Sequence, residues 1–155
     1  MFKRMIVVLV LVAMLIAGCA KPAPTAAPVE TFRIAVVMPS AITDLAFSQS
    51  MYDALIAMQK EMGGESALEI KYSENMFKVP DAATAIRDYA SQGFDVVIAH
   101  GSQYGSSVQE IAPDFPDITF AWGTDVNTFG MANVYAYTAA AEEGGYVNGV
   151  LAALL

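Results

Sequence analysis

Three β-prone runs, Arg33-Ile34-Ala35-Val36-Val37-Met38, Asp95-Val96-Val97-Ile98-Ala99 and Ile118 to Trp122, constrain this chain more than any other feature. None shows the apolar/polar alternation of a strand with one wet face, so each reads as a strand buried on both sides. Between them the apolar residues recur at helical spacing. Phe47, Met51, Leu55, Met58 and Met62 form one stripe, stopped by Gly63-Gly64. Ala82, Ala85, Ile86, Tyr89 and Ala90 form a second, opened by Pro80-Asp81 and closed by Gly93, and Val108, Ile111, Ala112 and Phe115 form a third. Shorter runs at Leu68 to Ser73 and Asn133 to Tyr137 complete five strands, and a last helix begins near Glu142. Strands buried on both faces and alternating with helices predict an α/β domain over residues 31–155, a doubly wound parallel sheet covered by helices on both sides.

The first thirty residues are of another kind. Lys3 and Arg4 precede an apolar run from Met5 to Ala17, and Leu15-Ile16-Ala17-Gly18-Cys19 follows before the chain turns polar. A basic start, a short apolar core and small residues at a cut site describe a secretory signal. The 13 residues from Met5 to Ala17 fall short of the roughly 20 needed to span hydrocarbon. The segment resembles a bacterial lipoprotein signal, which implies cleavage after residue 18 and lipidation of Cys19. Acyl chains contribute roughly 0.8 kcal/mol per buried methylene, and two or more hold a domain firmly at a membrane. Residues 19–30, rich in proline and alanine, read as an extended tether. Cys19 is the sole cysteine, so its lipidation leaves no thiol for a disulfide.

Removing Lys3 and Arg4 from the eight basic residues leaves six against sixteen acidic ones, a formal charge of −10. Such a surface is a poor partner for nucleic acid or anionic lipid. The last helix carries Tyr146, Val147, Val150, Leu151 and Leu154 on one face and runs to Leu155 without a cap. Its uncapped carbonyls and bare stripe lead us to expect a probable fragment, a chain incomplete at this end. Gly145 and Gly149 are spaced for close packing against the sheet or a second lobe.

In an open parallel sheet, ligands bind beyond the carboxyl ends of the strands, where the strand order reverses. With the order 2-1-3-4-5, the crevice lies between Pro39 to Gln49 and His100 to Ser107, with Gly123 to Gly130 closing one side. These loops offer Asp44, Asp125, Ser40, Ser48, Gln49, Ser102, Gln103, Tyr104, Asn127 and Phe47, and no lysine or arginine. Neutral, hydroxyl-rich or cationic ligands suit them better than a carboxylate or phosphate, which calls for an arginine fork. Phe47 is either a flat platform for an aromatic base or the first core residue of its helix. Trp122 either lines the crevice or covers the sheet. His100-Gly101-Ser102 lies between strand and helix, where a nucleophile elbow would be. It lacks G-x-S-x-G, and His100 is the sole histidine, so it reads as a hydrogen-bonded structural residue. Neither a carboxylate cluster of calcium-loop spacing, nor a Walker loop, nor G-x-G-x-x-G occurs, so we expect no metal, no cofactor and no enzymatic chemistry.

Several segments together resemble the basic membrane protein family, solute-binding lipoproteins of the purine-nucleoside-receptor type that serve ABC importers. Asp44-Leu45-Ala46-Phe47-Ser48-Gln49-Ser50, followed by Tyr52, Asp53 and Leu55, is similar to that family's Asp-x-Ser-Phe-Asn-Gln-Ser segment. Gly93 to Ile98 with Gly101, Pro116 to Ala121, Asn133-Val134, and Glu143 to Ala153 resemble later blocks in the same order. Ser48 stands where the family has a binding asparagine, and Thr124 and Asp125 compete for the place of its aspartate after the fourth strand. The resemblance implies a type I periplasmic-binding-protein-like lobe, one of two hinged around a ligand. A lone lobe cannot close on its ligand, so it should bind weakly. It implies that Phe47 flanks a base, that Ser48 and Gln49 hydrogen-bond the ligand, and that Asp125 contacts hydroxyls. Asp44, Gly101, Ser102 and Tyr104 complete the expected ligand-binding set. The function so implied is capture of a small neutral solute, such as a nucleoside, outside the cell for delivery to ABC permease and ATPase subunits. A lipid-anchored sensory domain feeding a signalling partner is the alternative.

Overall fold

The computed structural model describes residues 30–155; the signal sequence, Cys19 and the tether up to residue 29 lie outside the described residues. Five strands, β1 (Phe32–Val37), β2 (Leu68–Ser73), β3 (Val96–His100), β4 (Thr119–Gly123) and β5 (Val134–Tyr137), form one sheet in the order β2-β1-β3-β4-β5. Every neighbouring pair is parallel, as the continuous apolar runs require. Helices α1 (Phe47–Met62), α2 (Val79–Ser91), α3 (Gly105–Ile111) and α4 (Ala141–Leu154) follow β1, β2, β3 and β5.

Alternate residues of each strand serve opposite layers. Ile34, Val36, Met38, Ile98 and Leu68 meet Leu55 of α1 on one face. Ala35, Val37, Val97, Ala99, Phe120, Trp122 and Val134 meet Ala82, Ile86 and Ala90 of α2 and Val108 and Ile111 of α3 on the other. The third helix is shorter than its stripe suggests, because Pro113 turns the chain into a 3-10 turn over Ala112–Asp114. Ala112 is nonetheless buried, so the stripe kept its inward face.

The first helix is shifted relative to its apolar pattern. Its buried residues are Ser48 and Leu55, whereas Met58 and Met62 are 36% and 46% exposed and Phe47 is half-buried. A core line through residues 48, 51 and 55 satisfies the helical period as well as one through 47, 51 and 55. A serine occupies its first place, which an apolar scan overlooks.

Arg33 joins the layers at the amino ends of the strands. Its guanidinium bonds Glu69 at 2.9 Å, donates to the carbonyls of Gln92 and Gly93 beyond α2, and lies 4.1 Å over the Phe94 ring. A cation suits that position, where the helix dipole leaves partial negative charge. Asn133 similarly ties the turn before β4, its amide donating to the carbonyls of Ala112, Phe115 and Ile118. In α4 no residue is buried, and a Cβ on Gly145 or Gly149 would meet nothing within 4 Å. The close packing expected of that pair is therefore not made with the described residues.

Candidate functional site

The strand order reverses between β1 and β3, so the loops at their carboxyl ends frame the crevice. The loop after β1 is organised around Asp44. Its carboxylate accepts from Ser40 Oγ at 2.5 Å and from the backbone N–H groups of Ala46, Ser48 and Gln49 at 2.8, 3.1 and 3.1 Å. The Ser40 bond above all, helped by the three amides and opposed by desolvation, holds the carboxyl well below the usual range. Asp44 thus satisfies the free amides at the start of α1, the task of a capping residue, from three positions upstream of Phe47. Ser48 is fully buried and its hydroxyl pairs with that of Ser40 at 2.8 Å. Gln49 turns its carbonyl oxygen back to the Leu45 amide at 2.9 Å.

The two readings of Phe47 are separated by its neighbour. Its ring stacks on the imidazole of His100, centroids 3.7 Å apart and planes 12° from parallel. His100 closes β3, is 4% exposed, and faces the α1 layer. Its Nε2 lies 3.0 Å from the Phe47 carbonyl and its Nδ1 lies 2.6 Å from the Tyr137 hydroxyl. A carbonyl only accepts, so Nε2 carries the proton and Nδ1 accepts from Tyr137. Burial lowers the His100 pKa, against the opposing pull of the Phe47 carbonyl and the Asp44 charge. Burial also lifts Tyr137 above the ordinary tyrosine range, which keeps its hydroxyl protonated as the donor. The histidine is a hydrogen-bonded structural residue, and it backs the Phe47 ring where the strand order reverses.

This arrangement has a pH signature. The folded pKa of His100 lies below the ordinary 6.5, so from that value downward the unfolded chain binds more protons than the folded one. Stability contributed by neutral His100 is intact above pH 6.5 and lost as pH falls through the folded pKa. Asp44 acts in a lower window, since its stabilisation fades only as carboxylates protonate. Urea midpoints measured from pH 7.5 down to 5 should fall for the wild type and stay level for His100→Gln. Parallel curves would refute the assignment.

The remaining expected residues are distributed unevenly. Ser102 is exposed at the head of a 3-10 turn over Ser102–Tyr104. Gly101 is buried, and its carbonyl accepts from Trp122 Nε1 at 3.1 Å. Asp125, half-buried, folds back on the amides of Val126 and Asn127 at 2.7 and 2.9 Å. Tyr104 corrects the expectation that it lines the crevice: it is fully buried in the opposite layer and donates to the Met76 carbonyl at 2.8 Å. Its burial pushes the phenol up to about 12. Trp122 also covers the sheet rather than the crevice, stacked on Phe129 with centroids 5.1 Å apart. Tyr137 escaped sequence reading because it pairs with His100 across 37 residues. No group of three or more His, Cys, Asp or Glu side chains suited to a metal occurs among the described residues.

A family model described as ABC transporter substrate-binding protein PnrA-like matches residues 31–155. The chain belongs to this Bmp family. Over 109 residues it is 26% identical to the transcriptional activator protein Med of Bacillus subtilis (strain 168), covering 70% of this chain and 32% of that protein. Over 86 residues it is 33% identical to a purine-binding protein of Brucella abortus (strain 2308), covering 56% of this chain and 24% of that protein. The chain therefore spans a third or less of the length of these curated relatives. Among solved structures, an ABC-transporter solute-binding protein from Conexibacter woesei DSM 14684 superimposes with a TM-score of 0.60 at 23% identity. That match covers 70% of this chain and 35% of that one, and it establishes the periplasmic-binding-protein-like fold of the Bmp chain.

Proposed function

We propose that this Bmp-family chain captures a purine nucleoside, or a neutral solute of similar shape, outside the cell and presents it to ABC permease and ATPase subunits. The observation that carries the reading is the half-buried ring of Phe47, backed by His100 at the switch point of the sheet. A flat neutral heterocycle fits the free face of such a ring. The loops after β1, β3 and β4 bear no lysine or arginine, which disfavours anionic ligands. The purine-binding relative supports the same class. In this reading Gln49, Ser102 and Asp125 supply polar contacts around the ring, while Asp44 and Ser48 shape the loop that carries it. In this reading the protein is a binding protein and the ligand leaves unchanged.

Residues 1–18 would be removed as a signal peptide, Cys19 would carry lipid, and residues 19–30 would tether the domain on the extracytoplasmic side of the cell membrane, at its periplasmic or outer face. Radiolabelled palmitate should enter the wild type and not Cys19→Ala. For the ligand, a thermal-shift series on the intact protein should show stabilisation by adenosine, guanosine or inosine and none by hexoses or amino acids. Stabilisation by an amino acid alone would overturn the nucleoside reading. The likeness to Med, named as a transcriptional activator, favours a second reading in which the bound solute is sensed rather than imported. Loss of nucleoside uptake on deleting the gene separates the two.

A further inference from the structure

We propose that His100 and Tyr137 are positioning residues for the Phe47 ring, holding it at the orientation in which a ligand ring stacks. The proposal rests on the reading of Phe47 as the ligand-facing aromatic and assigns the wall behind it. Three rings from three elements lie almost parallel. Phe47 at the start of α1 and His100 at the end of β3 are 3.7 Å apart at 12°, and His100 and Tyr137 at the end of β5 are 6.1 Å apart at 13°. Tyr137 lies beside the imidazole, bonded to its edge, so a ligand base on the open face of Phe47 would add one layer to the Phe47–His100 stack.

Sheet register explains how Tyr137 reaches His100 from two strands away. His100 pairs with Gly123, and Gly123 pairs with Tyr137, so the three stand in one row on one face. Gly123 leaves the middle of that row empty. A Cβ there would overlap the Tyr137 ring, so a side chain at 123 would push tyrosine and histidine apart. Across the gap, the Tyr137 hydroxyl donates a hydrogen bond to Nδ1 and thereby leaves the Nε2 proton for the Phe47 carbonyl. The imidazole then holds both the ring of Phe47, by stacking, and its backbone, by hydrogen bond. Without that wall the ring of a residue at a helix start could take other rotamers, and ligand binding would have to immobilise it.

Tyr137→Phe tests this, because it keeps the ring and removes only the hydroxyl. His100 is the single histidine of the chain, so its imidazole signals in an NMR spectrum need no further assignment. In the ligand-free intact protein, the variant is expected to change the His100 ring-nitrogen shifts and move the Phe47 ring resonances. Its Kd for adenosine should rise roughly two- to tenfold, the effect of one side chain that must be ordered on binding. A purely structural tyrosine would alter the melting temperature and leave both the Phe47 resonances and the Kd in place; that result overturns the proposal. Should Tyr137→Phe fail to fold, His100→Gln keeps an N–H for the Phe47 carbonyl without the stack, and the same two measurements apply. Shifted Phe47 resonances in a protein that binds no adenosine would uphold the positioning role and sink the nucleoside reading instead.

Discussion

Trp122→Ala is expected to lower the unfolding free energy by about 3–5 kcal/mol, the range for truncating a large buried aromatic. The indole is 5% exposed, stacks on Phe129 and donates to the Gly101 carbonyl. Truncation therefore opens a cavity between β4 and α3 and removes one of the two hydrogen bonds to the Gly101 carbonyl, which keeps the Tyr104 amide. The site is closed from the other side by Gly105, where a Cβ would overlap the indole ring. Backbone at that contact cannot move far to refill the space, so relaxation should recover little. Urea denaturation followed by far-UV circular dichroism measures the loss. A change under 1 kcal/mol would show that the indole is not what joins these layers.

The second large effect concerns ligand rather than fold. Phe47→Ala should weaken adenosine binding by about fivefold to 150-fold, since aromatic–base stacking contributes roughly 1–3 kcal/mol by alanine substitution. Its melting temperature should fall less than that of Trp122→Ala, because Leu55 and the bond from His100 to the backbone carbonyl at position 47, which the substitution keeps, still hold α1 to the sheet. Calorimetric titration of the intact protein against adenosine distinguishes the two. Full affinity in the variant would remove Phe47 from the site and with it the nucleoside argument.

Backbone architecture was the readily legible part of this chain, and the reason is local. β2 runs from Leu68 to Ser73 as its residues suggest, and the other strands begin and end within about a residue of their expected limits. Continuous Val, Ile and Ala runs and glycine or proline stops encode those features within a few neighbouring residues. The meeting of the loops after β1 and β3 was legible, because it follows from strand order; the surroundings of Phe47, Ser48 and His100 were not, because they depend on partners far along the chain. Phe47 meets His100 across 53 residues, and Tyr104 finds Met76 across 28. A tyrosine after a strand looks the same in sequence whether it turns into the crevice or through to the other layer. Ser48 misled for the opposite reason: a polar residue can be fully buried when a neighbouring hydroxyl satisfies it.

The mouth framed by the loops after β1, β3 and β4 lacks cationic side chains, and its carboxylates, Asp44 and Asp125, both accept from backbone amides. An uncharged solute has no Coulomb attraction to these groups for dissolved ions to screen. A scavenger built this way would gather an uncharged solute as readily from brine as from fresh water, whatever the net charge of the rest of its surface.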